Sequence, residues 1–306
     1  MLKRCVIIFA MVLVSVLVAP ASDFVLVIDA GHGGKDPGCV GRKTNEKTIV
    51  LDIARRLGKK IEASGCGIKV VYTRKDDRFI SLQKRADIAN AAHGNLFLSL
   101  HVNSVKENTP GRDKVRGIAV YTLGPDKSSR SLEVAMRENS VMELEPDYSM
   151  RYKGFDPKSA ESYIVFEMTS NLYMRQSIDF ATLAQKRLIG STGRYNKGVH
   201  QSGFWVLWSP NMPSVLAELE FICNPSSEDY LCSEEGKQAI VDGLYKAVTE
   251  YSANYIRQNK NADPATSRGT RTDGKNSSVS TTTQKQKAGT GNRSRRSSRS
   301  DKKARR

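Results

Sequence analysis

Cysteine and histidine are both scarce in this chain of 306 residues, which has 5 Cys and 4 His. The cysteines lack the C-x-x-C spacing of a zinc ribbon, which excludes that class of structural metal site. Cys39, Cys66, Cys223 and Cys232 follow the N-terminal segment; Cys223 and Cys232 could close a short loop, or all four could be unpaired thiols. A body of about 235 residues can bury an adequate core without disulfide bonds, so the fold does not require them.

Long apolar runs are also lacking, with one exception at the N-terminus. The run Cys5–Val18 follows Lys3 and Arg4 and precedes the small residues APA at positions 19–21. This is the pattern of a secretory signal peptide, and the run is shorter than the roughly 20 residues that cross a bilayer. We therefore predict that residues 1–22 are a cleaved signal peptide. The protein is then exported, to the periplasm or, from a cell with one membrane, to the wall or the medium.

Acidic residues are too few to balance the basic ones, and the net charge is +16. Residues 257–306 carry +12 of this charge, while the body, residues 23–256, is close to neutral. The C-terminal segment has almost no apolar residues, so burial cannot offset the entropy of ordering it. We predict a disordered basic tail that contacts anionic envelope polymers or lipid head groups, or has no specific partner. A specific nucleic acid is not expected for an exported protein.

The body alternates strand and helix patterns without an internal repeat or a known wall-binding repeat. Predicted strands lie at 24–29, 69–73, 96–100, 118–122 and 215–217, and predicted helices at 46–64, 81–91 and 237–256. Such alternation is typical of the α/β class, with a mainly parallel, twisted sheet and helices on both faces. We expect residues 23–256 to form a single catalytic domain.

One stretch, residues 126–194, interrupts this alternation. It is predicted to be mostly helical, with helices over 130–143 and 162–188, and it separates consecutive strands by nearly 70 residues. A crossover connection needs far fewer residues. We interpret the stretch as a helical insertion, which either covers the site as a lid or packs on the sheet.

Two histidines directly follow predicted strands, His32 in VIDAGHGG and His101 in LFLSLHVNS, and Glu46 opens the helix between them. Residues at the carboxyl ends of parallel strands converge on one crevice. Two imidazoles and one carboxylate, with a coordination position left open, are the ligand set of a catalytic zinc. His93 lies at a predicted helix end, where a cation suits the helix dipole, and we do not expect it to be a ligand.

Four motifs in order resemble those of the zinc-dependent N-acetylmuramoyl-L-alanine amidases of the type 3 amidase family, which are bacterial cell-wall hydrolases. They are IDAGHGG with His32, TNEKTIVLDIA with Glu46, FLSLHVNS with His101 and MPSVLAELEFICNP with Glu218. The resemblance covers residues 24–256. It implies one zinc per chain, held by His32, Glu46 and His101, with Glu218 as the catalytic carboxylate.

The resemblance also implies the reaction: hydrolysis of the amide between N-acetylmuramic acid and L-alanine in peptidoglycan, during wall remodelling and daughter-cell separation. Zinc lowers the pKa of bound water from 15.7 to about 7 and polarises a carbonyl, and Glu218 would pass a proton to the leaving amine. The alternatives are a zinc peptidase acting within the stem peptide and a non-catalytic wall-binding or activator protein. The complete set of ligands and base argues against the non-catalytic alternative.

Four polar residues are candidates for supporting roles. Asp29 and Asn103 could bind the N–H groups of the ligand imidazoles or the substrate. Arg85 and Asn224 are similar to polar residues that the family places near its cleft. For all four, ordinary helix-face or turn contacts are the favoured interpretation, and a direct role is the alternative.

Glu220 departs from the family pattern, which usually has a small residue at that position. Residues two apart on a strand face the same side, so the choice of Glu218 as the base depends on the register. We expect Glu220 to lie past the strand end in solvent. Alternatively, the two carboxyl groups perturb each other's pKa.

The insertion resembles the segment by which some members of this family hold themselves inactive, with a helix over the cleft and a carboxylate at the zinc's open position. We expect residues 140–163 to occlude the site. Glu143, Glu145 and Asp147 are the candidate inhibitory ligands, and an activator protein would displace them.

Overall fold

A six-stranded sheet forms the centre of the structure, a computed structural model that describes residues 24–125, 128–164 and 172–262. The strands are β1 (Phe24–Ala30), β2 (Ile68–Tyr72), β3 (Leu96–Asn103), β4 (Ile118–Leu123), β5 (Asn196–Ser202) and β6 (Ser214–Phe221). Their order is β2-β1-β3-β6-β4-β5. All neighbouring pairs are parallel except β4 and β6, which are antiparallel. The predicted α/β class and mainly parallel sheet are confirmed.

The described part of the chain contains eight α-helices. They are α1 (Glu46–Ser64), α2 (Leu82–Ala91), α3 (Ser129–Asn139), α4 (Tyr148–Arg151), α5 (Met174–Thr192), α6 (Trp205–Trp208), α7 (Pro225–Cys232) and α8 (Glu234–Ala262). Three 3₁₀ turns, Arg112–Lys114, Ser140–Leu144 and Ala160–Tyr163, lie between them. None of the helices in the described ranges is long and apolar enough to cross a membrane.

The two ends of the chain bear on the predicted domain boundaries. The predicted signal peptide, residues 1–22, lies outside the described residues, as does most of the basic tail from 257 to 306. Helix α8 continues to Ala262 and so passes the predicted boundary at residue 256. The domain boundaries therefore stay predictions.

Helix α1 shows why the sequence pattern predicts its element correctly. Asn45 adopts an extended backbone conformation, and its side chain accepts a hydrogen bond from the Thr48 backbone N–H, as expected of an N-cap. The helix ends at Gly65, whose φ of 61° is the left-handed conformation that glycine tolerates. Its buried residues recur every three or four positions: Glu46, Ile49, Val50, Ile53, Ala54, Leu57, Gly58 and Ile61. Helix α1 therefore presents one continuous face to the sheet.

Helices cover both faces of the sheet, as predicted. Alternate residues of β1 belong to two different cores, because successive side chains of a strand point to opposite faces. Leu26 and Ile28 pack in the core formed with α1, α5 and α8. Val27 packs in the core formed with α2, α3 and α6. The insertion thus contributes helices to both layers.

Strand β5 is the element that the sequence pattern does not predict. Its residues, NKGVHQS, are mostly polar and only partly buried. It is an edge strand, pairing only with β4, and it lacks the apolar run that marks the central strands. The enrichment in β-branched and aromatic residues, by which a strand is recognised in a sequence, is weak where one side of the strand faces away from the core.

The four cysteines of the body, Cys39, Cys66, Cys223 and Cys232, are free thiols. A bond between Cys223 and Cys232 was one of two possibilities left open by the sequence, and the structure has the unpaired form. The fold is instead held by its two apolar cores.

Glu220 does not lie past the strand end in solvent, so that expectation is wrong. Strand β6 extends to Phe221, and the Glu220 side chain is fully buried. Its carboxylate lies 2.7 Å from Nε of Arg194 and accepts hydrogen bonds from the backbone N–H groups of Gly117 and Phe221, both at 2.9 Å. A buried carboxylate needs such partners, because burial without them is costly.

Replacing Glu220 should destabilise the fold. In Glu220→Ala, the Arg194 guanidinium and two buried N–H groups lose their acceptor, and we expect a loss of about 3 kcal/mol in the free energy of unfolding. The matched control is Asp76→Ala, since the Asp76–Arg78 ion pair is largely exposed and should contribute less than about 0.5 kcal/mol. Urea denaturation followed by circular dichroism measures both, and equal midpoints for the two variants would contradict the prediction.

Candidate metal centre

Three neighbouring strands and one helix bring the predicted site residues together. The register aligns Ala30 of β1 with Leu100 of β3, and His101 of β3 with Glu218 of β6. His32 follows the end of β1, and Glu46 is the first residue of α1. His32, Glu46, His101 and Glu218 therefore lie at the same end of the sheet, as the topology of parallel strands requires.

Four side chains enclose one point. The potential ligand atoms of His32, Glu46, His101 and Glu138 all lie within 4.8 Å of one another, and all four residues are buried. Nε2 of His32 is 3.1 Å from Oε1 of Glu46 and 3.2 Å from Oε2 of Glu138. Nδ1 of His101 is 3.0 Å from each of the same two oxygens. The two rings and two carboxylates thus alternate around a common centre.

The geometry of this cluster fits a metal ion. Ligand atoms about 2.0–2.1 Å from a tetrahedral zinc lie about 3.3 Å from one another, close to the four nitrogen–oxygen separations of 3.0–3.2 Å, while the remaining pairs lie within 4.8 Å. Nε2 of His32 and Oε2 of Glu138 are buried without a hydrogen-bond partner in the described part of the chain. Buried polar atoms are normally paired, so their orientation toward one centre is explained if they are ligands.

The charges of the cluster also call for a cation. Burial disfavours a charged ring, but the nearby Glu46, the hydrogen bond with Asp36 and the adjacent Glu138 carboxylate raise the pKa of His32 well above its usual value. Burial acts in the same way on His101, yet Glu138 and Glu46 raise its pKa to about 9. The carboxylates thus favour positive charge at the positions where a divalent metal ion would supply it.

Glu46 is fixed rigidly in the cluster. Its side chain is fully buried, and its two oxygens accept hydrogen bonds from the backbone N–H groups of Val102 and Cys39, both at 2.8 Å. Burial opposes ionisation, but the neighbouring His32 and the hydrogen bond with His101 keep the pKa of Glu46 below its usual range. Glu46 is therefore a preorganised, ionised ligand.

The turn that carries His32 is tightly constrained. His32 has a φ of 60°, which is uncommon for a residue with a side chain and costs energy. A Cβ atom at Gly31 would lie 2.5 Å from the His101 ring, and one at Gly38 would lie 2.6 Å from Oε2 of Glu46. Gly31 and Gly38 are thus required by close packing against the ligands.

Asp36 orients His32, although the sequence analysis did not select it. Oδ2 of Asp36 lies 2.7 Å from Nδ1 of His32, which assigns the ring proton to Nδ1 and leaves Nε2 free to bind a metal. A carboxylate in this position fixes the ring orientation and raises the basicity of the ligand. The spacing of four residues within HGGKD could have suggested this pair.

Glu138 was also missed, and it comes from the insertion. It lies near the end of α3, on the buried face that it shares with Val134, Ala135 and Asn139. A glutamate on the apolar face of an amphipathic helix was the available signal. The predicted inhibitory carboxylates, Glu143, Glu145 and Asp147, lie instead in the polar segment that follows α3.

Glu218 lies beside the cluster without entering the ligand set. Burial and the nearby Glu138 raise the pKa of Glu218 to about 8, although Arg137 acts in the opposite direction. Oε1 of Glu218 accepts a hydrogen bond from Nη2 of Arg137 at 3.2 Å, while Oε2 has no partner among the described residues. A carboxyl group with a pKa near neutrality is suited to exchange protons during a reaction.

Comparison with known proteins decides the family. The Amidase_3 family, N-acetylmuramoyl-L-alanine amidase, matches residues 26–250. The chain belongs to this family.

Named relatives agree with the family match. The chain is 33% identical over 237 residues to the N-acetylmuramoyl-L-alanine amidase AmiC of Escherichia coli, a match that covers 75% of this chain and 53% of AmiC. It is 30% identical over 229 residues to AmiA of Escherichia coli, covering 74% of this chain and 75% of AmiA. The chain thus spans about half the length of AmiC. The predicted enzyme class, an amidase and hence a hydrolase, is confirmed.

A solved structure agrees as well. The catalytic domain of CwlV, an N-acetylmuramoyl-L-alanine amidase from Bacillus (Paenibacillus) polymyxa var. colistinus, is 27% identical, with a TM-score of 0.53. The similarity covers 74% of this chain and 97% of that domain. The Amidase_3 fold of this chain therefore corresponds to a catalytic domain.

Asp29 and Arg85 support the backbone of the amidase site rather than its imidazoles. Asp29 pairs with Nη1 of Arg85 at 2.7 Å and accepts hydrogen bonds from Thr73 and Ser99. Arg85 also donates to the carbonyl oxygens of Ala30 and His32, at 2.8 and 2.7 Å. This buried pair therefore holds the strained turn in place, an indirect contribution to ligand geometry.

Asn103 and Asn224 make local backbone contacts. The Asn103 side chain accepts a hydrogen bond from the Ser104 N–H. Asn224 is the N-cap of α7 and accepts from Ser226 and Ser227. For these two residues the structure has the turn and helix-cap contacts that the sequence analysis favoured over a direct role.

The three predicted inhibitory ligands lie elsewhere. Glu143 pairs with Lys158 at 2.8 Å in a largely exposed position, and Asp147 is exposed 3.9 Å from Arg151. Glu145 is buried, but it contacts the beginning of α2 and does not belong to the metal cluster. Glu138, two residues before the predicted occluding segment at 140–163, is the carboxylate of the insertion that lies in the metal cluster.

Replacing Asp36 should weaken metal binding. In Asp36→Asn the amide no longer provides a negative charge to hold the His32 proton, and we expect zinc affinity to fall about 10- to 100-fold. Competition with a chromophoric chelator measures the affinity. The matched control, Asp76→Asn, alters an exposed carboxylate outside the cluster and should bind zinc as the unmodified chain does. Equal affinities in both variants would contradict the role of Asp36.

Proposed function

We propose that this amidase is zinc-dependent and hydrolyses the amide between N-acetylmuramic acid and L-alanine in peptidoglycan. The observation that carries the proposal is the convergence of His32, Glu46 and His101 on one point, with the buried Glu218 alongside. The named relatives are N-acetylmuramoyl-L-alanine amidases, which supports this substrate. Two imidazoles and a carboxylate favour zinc among the divalent metals.

His32, Glu46 and His101 would hold the zinc through Nε2, Oε1 and Nδ1, the atoms that face the centre of the cluster. Bound zinc supplies a water molecule of lowered pKa and polarisation of the substrate carbonyl. The backbone hydrogen bonds to Glu46 and the Asp36 contact to His32 keep these ligands in position before substrate arrives.

Glu218 would act as the general base and then as the general acid. Its raised pKa allows it to accept a proton from the attacking water and to pass that proton to the departing L-alanine amine. Glu220 cannot replace it, because both of its oxygens are occupied by Arg194 and backbone N–H groups. The register of β6 thus favours Glu218 for this role.

We further propose that the described conformation is autoinhibited by Glu138. A catalytic zinc keeps one coordination position for water or substrate, whereas four protein ligands form a closed site. Glu138 is the ligand that can leave, because it lies on the inserted helix α3. Its carboxylate pairs with Arg137 of the same helix, which would move with it. Glu46, in contrast, is fixed by the core. An activator protein that withdraws α3 would open the site.

Two alternative functions make different products from the same wall. A zinc peptidase would cut within the stem peptide, and a non-catalytic wall-binding protein would release nothing.

The periplasm is the location that we propose for the amidase, since peptidoglycan lies outside the cytoplasmic membrane and residues 1–22 have the signal-peptide pattern. The basic tail would then meet anionic envelope polymers or lipids.

The reaction can be tested on purified peptidoglycan. We expect the zinc-loaded Glu138→Ala chain to release intact stem peptides with a free N-terminal L-alanine, identified by mass spectrometry, and to lose this activity with a chelator. Adding Glu218→Ala should lower the rate at least about 100-fold and leave the zinc content unchanged, because Glu218 is not a ligand. Cut stem peptides would instead identify the peptidase, and an absence of products the wall-binding protein.

Autoinhibition predicts a gain of activity. Without a partner protein, Glu138→Ala should hydrolyse peptidoglycan at least about tenfold faster than the unmodified chain, because the coordination position is open. Glu133→Ala is the matched control: it removes a glutamate from the same helix, but one that is 62% exposed and 3.7 Å from Lys106. Equal rates for Glu138→Ala, Glu133→Ala and the unmodified chain would refute autoinhibition by Glu138.

A further inference from the structure

Glu145 is a buried carboxylate that the proposed reaction does not use. Its side chain is 1% exposed. Oε1 accepts hydrogen bonds from the backbone N–H of Leu82 and from the hydroxyl of Tyr152, both at 3.0 Å, and Oε2 lies 3.4 Å from Nη1 of Arg151. Glu145 thus joins the beginning of α2 to Arg151 and Tyr152 of the insertion, outside the metal cluster.

The contact with Leu82 links the insertion to the body of the enzyme. Leu82 is the first residue of α2, where backbone N–H groups have no partner within the helix and an anion is favoured. The N-cap Ser81 already accepts from Lys84, so the Glu145 carboxylate satisfies another of these groups. Arg151 extends the same link, since its Nη1 lies 3.3 Å from Oγ of Ser81.

A second contact of this segment reaches the turn after β1 that carries His32, called the metal-binding turn below. Nζ of Lys35 donates a hydrogen bond to the carbonyl oxygen of Leu144, the residue before Glu145. Lys35 precedes Asp36, which orients His32, and its ammonium lies 4.7 Å from the centre of the Phe79 ring. Residues 144 and 145 are therefore held by both the metal-binding turn and the beginning of α2.

The connection between Glu145 and Glu138 has little slack. Six residues separate them, and five of these form the 3₁₀ turn Ser140–Leu144 directly after α3. Met142 within this turn is fully buried in the core formed with α2, α3 and α6. Asn139 holds the end of α3 as well, through hydrogen bonds to Gly203 and Trp205. Any motion that withdraws Glu138 must therefore strain or break the contacts of Glu145.

We propose that Glu145 is the anchor of the autoinhibited state: its carboxylate ties the segment after α3 to the beginning of α2 and so keeps Glu138 at the metal site. The proposal rests on the autoinhibition proposed above. Activation then requires release of two carboxylates, Glu138 from the metal and Glu145 from the N–H of Leu82. Without the anchor, α3 is retained by fewer contacts and the open state is populated more often.

A purely structural role for Glu145 makes the opposite prediction. Helix α2 carries Arg85, which holds the carbonyl oxygens of Ala30 and His32. If Glu145 served mainly to stabilise α2, its loss would disturb the metal-binding turn and lower activity. An anchor of the closed state raises activity when it is removed.

The experiment compares full-length, zinc-loaded variants on purified peptidoglycan without a partner protein. We expect Glu145→Ala to raise the initial rate roughly tenfold. The variant loses a hydrogen bond to a charged group in the closed state only, so the open, active state is populated more often. Amide hydrogen exchange within residues 129–145 should accelerate in the same variant. Glu143→Ala, which removes an exposed carboxylate two residues away, is the matched control and should match the unmodified chain in both measurements.

Three outcomes would overturn the anchor. A Glu145→Ala rate equal to that of Glu143→Ala would do so, as would a lower rate together with a lowered zinc content. If Glu145→Ala fails to fold, Tyr152→Phe, which removes only the hydroxyl donor, decides the question: a raised rate supports the anchor and an unchanged rate refutes it. Glu138→Ala, measured in parallel, separates the two proposals, because a gain there without a gain in Glu145→Ala leaves autoinhibition standing and removes the anchor.

Discussion

Buried negative charge is the constraint on which the site depends. Glu46, Glu138 and Glu218 lie close together with almost no access to solvent, an arrangement that costs several kcal/mol per charge unless cations or hydrogen-bond donors compensate it. Two imidazoles, the Arg137 guanidinium and backbone N–H groups provide part of this compensation. The divalent cation that we propose at the centre would complete it. The same need for positive charge explains the raised pKa values of His32 and His101 and supports the proposed metal binding.

Rigid support makes this concentration of charge possible. The turn after β1 is strained at His32, and two arginines hold its carbonyl oxygens through hydrogen bonds. Arg74 donates to Ala30 and Gly31, and Arg85 donates to Ala30 and His32. Asp29 neutralises Arg85 inside the core. A strained backbone persists only where its surroundings determine it. The buried arginines are thus as much a part of the metal site as its ligands, although none of them faces the metal.

The sequence predicts the parts of this protein that follow from local patterns. His32, Glu46 and His101 each lie at the end of an element with a clear apolar period, and the topology of the sheet brings them together. Glu138 and Asp36 were missed because their roles depend on tertiary contacts that spacing alone does not reveal. Strand β5 was missed because an edge strand needs no apolar run. Glu220 was placed in solvent because its partner, Arg194, lies 26 residues away in sequence, before β5.

The direction of β4 has a consequence for how this enzyme can diversify. The inserted segment leaves the sheet from β4 and returns through β5, the two strands that run opposite to the other four. Strands β1, β3 and β6 adjoin the metal ligands and the base. They pair directly with one another, and no part of the insertion lies between them. The insertion is thus attached to one half of the sheet, whereas His101 and Glu218 lie on strands of the other half. The inserted segment can therefore change in length without displacing the strands that carry these two residues.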